Sequence, residues 1–306
     1  MVLGHEKQWQ FLKKLAESGK ISHAYLFSGP EHLGKKKIAL EFVNLINGKE
    51  IKEGHPDLIL IKPDQGKEIQ ISQIKELIQK LSLKPYSASF KCAILDEAHS
   101  MNQEAQNCFL KTLEEPKGKT LLILITESPE MLLPTIRSRC EIIKFFPVKT
   151  AEIENYLESQ GISKEKSQEI ARLSLGRPGL AIDFLNNPQK LENYKRVIKE
   201  LIGISSSSLA GRFQYAEEMS KSNNIKEILE IWLSYFRNVL LKQCSDFGTE
   251  HQYSFPRAKK GNFLLPPSLS LGKLKNIISQ IQNTSFLISS TNVNPRLALE
   301  ILMLDL

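Results

Sequence analysis

Ala24-Tyr25-Leu26-Phe27-Ser28-Gly29-Pro30-Glu31-His32-Leu33-Gly34-Lys35-Lys36 decides how the rest of the chain is read. Ala24 to Phe27 is a short strand without polar alternation, the pattern of a strand covered on both faces. A Gly-Pro turn follows at once. From Lys36 to Ile46 the apolar residues Ile38, Ala39, Phe42, Val43 and Ile46 return at helical spacing. Between strand and helix, Gly29, Gly34 and Lys35 fit G-x-x-x-x-G-K, the loop whose backbone N–H groups cradle phosphates and whose lysine reaches the outer ones. The next position calls for a Ser or Thr hydroxyl to ligate magnesium, and here it is Lys36. An ammonium cannot ligate a cation and repels one. Glu31 adds negative charge where a triphosphate would lie. The spacing points to phosphate-loop ancestry; the chemistry argues against productive ATP hydrolysis.

Working outward, the first half alternates helix and strand. Further apolar strands are expected at Leu58–Ile61, Cys92–Leu95, Leu121–Ile125 and Ile142–Phe145, with helices over 6–17, 71–81 and 103–113. Apolar strands separated by helices imply an α/β fold with a five-stranded parallel sheet covered on both sides. After Pro147 the strands stop. Segments 151–157, 164–173 and 178–185 form a small helical unit, and helices run from about Leu191 to Leu306, with strong apolar faces over 225–241 and 271–288. The polar stretch Cys244 to Pro267 reads as a long loop. A chain of 306 residues exceeds one compact core, and the expected division is 1–147, 148–190 and 191–306. Faces such as Ile228, Trp232, Leu233, Tyr235 and Phe236 fit a bundle core or a subunit interface, which periodicity alone does not separate.

Three further features carry chemistry. Asp96-Glu97 ends the third strand, where one carboxylate could hold magnesium and the other polarise water; an acidic pair left at a strand end fits equally well. Thr126 ends the fourth strand, where it could sense a γ-phosphate or serve structure alone. Arg139, flanked by Ser138 and Cys140, follows that strand and a proline turn, where an α/β fold presents residues to a neighbour. An arginine offered there can reach phosphates held by another subunit. The chain reads as one that completes another subunit's active site.

Composition narrows the class. Hydrophobic residues make up 41% and charged residues 25%, ordinary for a soluble protein. No apolar run approaches the roughly 20 residues of a membrane span. The first residues lack a signal-peptide apolar region, so a cytoplasmic protein without membrane partners is expected. The net charge, 41 minus 34 or +7, is scattered apart from short clusters at Lys35 to Lys37 and Arg257 to Lys260. It permits nucleic-acid contact without requiring it. Cys92, Cys108, Cys140 and Cys244 lie far apart with no Cys-x-x-Cys, which gives neither a disulfide framework nor a zinc site.

Taken in this order, the motifs resemble the AAA+ clamp-loader family of bacterial DNA polymerase III. The similarity runs nearly end to end and is specific at His23–Pro30, Gln106–Pro116 and Leu133–Cys140, with Asn292–Glu300 similar to the family's last collar helix. The resemblance implies an AAA+ module, a three-helix lid and an all-α collar that closes a ring of five subunits. It further implies a non-enzymatic subunit of a DNA-directed DNA polymerase holoenzyme, partnered by ATP-hydrolysing motor subunits, a delta subunit, the sliding clamp and primer-template DNA. Within the family this chain is most similar to the rigid stator, whose Ser-Arg-Cys arginine, here Arg139, reaches the ATP site of the adjacent motor. Two departures matter. Many members carry four cysteines between the first loop helix and the second strand, and segment 44–57 has none, so no zinc is carried over. Hydrolysing relatives carry Gly-Ser-x-Arg-x-Ala in the lid; here Gly176 to Ala181 puts Gly179 at the sensing arginine's place, with Arg177 two positions early as a candidate sensor. No bound cofactor is expected. The competing readings are an ATP-hydrolysing motor that uses Lys35, Asp96 and Glu97, and a DNA-binding protein in its own right.

Overall fold

The computed structural model describes residues 3–63, 68–222, 224–246, 269–290 and 293–306. They form two compact units, Met1–Ile182 and Asp183–Leu306.

The first unit is built on β1 (Ala24–Ser28), β2 (Leu58–Ile61), β3 (Lys91–Leu95), β4 (Thr120–Thr126) and β5 (Glu141–Lys144). All pairings are parallel, in the order β2-β3-β4-β1-β5. The strands are apolar throughout because both faces are covered. Leu26, Leu95 and Leu124 pack in one cluster with Leu77 of α3 (Ile71–Leu81) and Phe109 of α4 (Gln103–Glu114). Tyr25, Phe27, Ile94 and Ile123 pack in the other with Leu12 of α1 (Glu6–Ser18) and Phe42 of α2 (Lys35–Asn47). Successive strand residues point to opposite faces, so one sequence feeds both clusters. β1 lies between β4 and β5, where the strand order reverses, and its carboxyl end opens into the crevice where such sheets bind ligands. Gly29 leaves that end at φ 151°, and a Cβ there would stand 2.3 Å from the carbonyl oxygen of Phe145. Only glycine fits so close an approach.

Strand 58–61 and helices 71–81 and 164–173 match the sequence reading to the residue. A one-turn helix, α5 (Pro134–Arg137), has no periodicity to reveal it and is entered through Pro134 at its first position. Beyond it lie α6 (Thr150–Ser159), α7 (Lys164–Leu173) and α8 (Pro178–Asn186), and the division between the units falls within α8.

The second unit continues through α9 (Pro188–Ser205), α10 (Leu209–Ser220), α11 (Ile225–Asp246), α12 (Leu271–Ser290) and α13 (Pro295–Asp305). The loop expected from Cys244 begins later, since α11 runs to Asp246; positions 247–267 lie outside the described residues. On α11, Trp232, Tyr235 and Phe236 are buried, whereas Ile228 and Leu233 are half-buried. On α13, Leu299, Leu302 and Met303 are buried, and Leu297, Ile301 and Leu304 form an exposed stripe. Arg296 ties α13 to α10, with contacts of 2.8 Å to Glu300 and 3.2 Å to Glu217. No helix among the described residues is long and apolar enough to cross a membrane.

Candidate functional site

The carboxyl ends of the central strands and the loop after β1 enclose a cavity of about 300 Å³. It gathers Glu31, Gly34, Lys35, Lys36, Asp96, Glu97, Thr126 and Gly179, all singled out in the sequence, and adds His32, Leu33, His99, Ile125 and Glu127. Gly29 shapes the start of the loop, and neither Arg177 nor Arg139 is among the lining residues.

The loop is closed on itself. Lys35 is 6% exposed, and its Nζ donates to the carbonyl oxygens of Gly29 and, at 2.6 Å, Pro30. Burial lowers its pKa to about 8, against the raising effect of Glu127, Glu31 and Asp96; Arg177 is near enough to push the same way as burial. Lys36 holds Glu53 at 2.9 Å and offers no oxygen at the position where magnesium needs one. His32 adopts a left-handed φ of 58°, uncommon for a residue with a Cβ. Its carbonyl accepts the backbone N–H of Gly179 at 2.7 Å. A Cβ on Gly179 would stand 2.7 Å from that same oxygen, so the absence of a side chain lets α8 begin directly against the loop. His5 Nε2 lies 3.1 Å from the Leu33 carbonyl with its ring edge-on to Phe145, and burial lowers its pKa.

The neighbouring polar groups are also committed. Thr126 Oγ1 accepts the N–H of Ser128 at 3.0 Å and lies 3.2 Å from His99 Nδ1. Asp96 Oδ1 accepts the N–H of Glu97 at 3.1 Å, and Glu97 sits at a left-handed φ of 50°. The cavity is therefore lined by four carboxylates (Glu31, Asp96, Glu97, Glu127) and two lysines, Lys35 bonded to its own loop and Lys36 paired with Glu53.

Arg139 occupies a different setting. Gln106 of α4 accepts the N–H of Leu133 at 2.8 Å and donates to the carbonyls of Met101 (3.0 Å) and Met131 (3.2 Å). Leu132 and Ile136 are buried beneath the segment. Ser138 caps the turn, its Oγ donating to Thr135 O at 3.1 Å. Cys140 is half-buried, and burial pushes its thiol up to about 12, which makes it a packing residue and a poor nucleophile. The Arg139 guanidinium, 35% exposed, donates through Nη1 to Thr135 O at 3.0 Å and through Nη2 to Glu114 Oε1 at 2.7 Å.

Sequence reasoning missed His5, Glu53, His99, Glu127 and Glu114. His99 and Glu127 were recoverable, because each lies within three residues of a position already singled out. The others reach their partners only through the tertiary fold.

The strand order, the G-x-x-x-x-G-K loop after β1 and the acidic pair after β3 define an AAA+-type phosphate-loop module. Residues 4–149 match the family described as DNA polymerase III, delta subunit. The DNA polymerase III subunit delta' of Bacillus subtilis is 35% identical over 198 residues, 60% of this chain and 60% of that relative's length. The delta' subunit of Pseudomonas aeruginosa is 29% identical over 226 residues, covering 64% and 68% of the two chains. The tau subunit of B. subtilis is 32% identical over 160 residues, 47% of this chain and 28% of its own. The chain is thus similar, chiefly over residues 4–149, to delta and delta' subunits of DNA polymerase III, and it spans about 60% of the length of the Bacillus relative.

Proposed function

We propose that the chain is the stator of a five-membered clamp-loading ring: it does not turn over ATP and presents Arg139 to the nucleotide of an adjacent motor subunit. In this reading 1–147 is the AAA+ domain, 148–190 the lid and 191–306 the collar. The partners are tau/gamma-type motor subunits, a delta subunit, the sliding clamp and primer-template DNA, in the cytoplasm. The observation that carries it is the contrast between two cations: Lys35 is buried and bonded to its own loop, whereas Arg139 stands braced at the surface. Mg·ATP does not fit the cavity well, because Lys36 supplies no metal ligand and Gly179 supplies no sensing arginine. The exposed stripe Leu297, Ile301 and Leu304 on α13 supports an assembly role, since such apolar surface usually marks an interface. The test is ATP turnover by the assembled complex carrying Arg139→Ala: a large fall with assembly intact supports the reading, and unchanged turnover removes it.

One observation favours a second reading, an ATPase in its own right: Lys35, Asp96, Glu97 and Thr126 do converge on one cavity. Equilibrium binding of Mg·ATP to the purified chain separates the two. Micromolar affinity, with Lys36→Thr harmless or activating, favours the ATPase; no binding at millimolar ATP favours the stator.

A further inference from the structure

Glu114 is the last residue of α4 and reaches Arg139 across 25 residues of sequence. Its Oε1 takes Nη2 at 2.7 Å while Thr135 O takes Nη1 at 3.0 Å, so the planar fork is held at two corners. The remaining N–H groups are left for another acceptor, and a phosphate can join the guanidinium without displacing the carboxylate. The helix that carries Glu114 is itself fixed. Asn102 caps its start by accepting from Ala105 N at 2.8 Å, and Ala105, Phe109 and Leu113 are buried along it. Gln106 of the same helix holds the other end of the Arg139 segment at Leu133. Both partners of the ion pair stand partly in water, at 35% and 48% exposure, and a pair that wet adds little to folding. Its value is geometric.

We propose that Glu114 is the positioning residue of Arg139, holding the guanidinium in the pose in which it meets a phosphate on a neighbouring subunit. This rests on the reading of Arg139 given above. A group held in place in advance acts on kcat, and displacing one by about 1 Å costs up to about 10²-fold. The experiment measures kcat and KM for ATP with this chain assembled with its ATP-hydrolysing partners, incorporation of each variant being checked by gel filtration. Glu114→Ala should lower kcat about tenfold at unchanged KM. Glu114→Gln keeps an acceptor oxygen and should recover most of the loss. In an Arg139→Ala background, Glu114→Ala should add nothing, since two residues acting through one contact are not additive. Unchanged or raised kcat in Glu114→Ala overturns the proposal, and so does a fall that persists in the Arg139→Ala background. Turnover indifferent to Arg139→Ala alone removes the finger itself, a failure visible before Glu114 is touched.

Discussion

The phosphate loop and the Ser138-Arg139-Cys140 segment each hold a cation, and they treat it in opposite ways. Lys35 is 6% exposed and spends two hydrogen bonds on the carbonyls of its own loop. Arg139 is 35% exposed, held by one carbonyl and one carboxylate, with the rest of its fork unspent. One cation is buried and bonded into its own loop; the other stands partly exposed at the surface. A motor subunit would need its phosphate-loop lysine available to ligand, and a stator needs only the arginine.

The sharpest way to break this comparison is to remove each cation in turn from the assembled complex. Arg139→Ala should lower ATP turnover about 10³-fold, the scale of a finger supplied in trans. On the proposed reading, in which the hydrolysing site belongs to another subunit, Lys35→Ala should leave turnover unchanged. Equal losses for the two variants would show that this chain's own loop turns over nucleotide.

Most of the fold was legible in the sequence because buried parallel strands and amphipathic helices write their period directly. Leu58–Ile61 and Ile71–Leu81 are examples. Of the residues singled out by motif spacing, Gly34, Lys35, Lys36, Asp96, Glu97 and Thr126 line one cavity, whereas Gly29 and Arg177 are not among its lining residues. What stayed hidden was the partner of each group. Lys36 meets Glu53, Thr126 meets His99, His32 meets Gly179 and Arg139 meets Glu114, and no local pattern encodes such meetings. The residue at Lys36 was readable as a missing metal ligand; that the α8 backbone is bonded to the loop was not.

The next largest effect concerns the buried lysine. The folded pKa of Lys35 is lowered to about 8 from 10.5, so the folded state disfavours its charge. That penalty is fully present below pH 8 and fades as pH rises from 8 to 10.5. Relative to Lys35→Met, the wild type should gain about 3 kcal/mol across that window, read from denaturant unfolding at several pH values. The comparison with the variant is needed because Cys92 and Cys140, raised to about 12 from 9, act in the opposite direction: stability they contribute is lost as pH rises above 9. A flat difference between wild type and variant would mean that Lys35 is solvated.

The contact between α8 and the loop predicts a smaller change. Gly179→Ala puts a methyl 2.7 Å from the His32 carbonyl, and forcing the backbones apart should cost about 1–3 kcal/mol. Gly203 in α9 has nothing within 4 Å of a would-be Cβ, so Gly203→Ala should instead stabilise by about 0.5–1 kcal/mol. Unfolding midpoints for the two variants should therefore move in opposite directions. If both rise, α8 is not pressed against the loop.

The smallest expected effect tests the exposed side of the comparison. Glu114→Ala removes an ion pair whose members are 35% and 48% exposed, and water screens such a pair. Its loss should change unfolding free energy by less than about 1 kcal/mol, and less still in high salt. A loss of several kcal/mol would make the pair a structural strut, and the turnover defect expected of Glu114→Ala would then be a consequence of unfolding. A small stability change beside a tenfold change in kcat cannot come from the fold, because the chain would be equally folded in both cases. The two measurements together separate an arginine held for a neighbour from one held, as Lys35 is, for the chain itself.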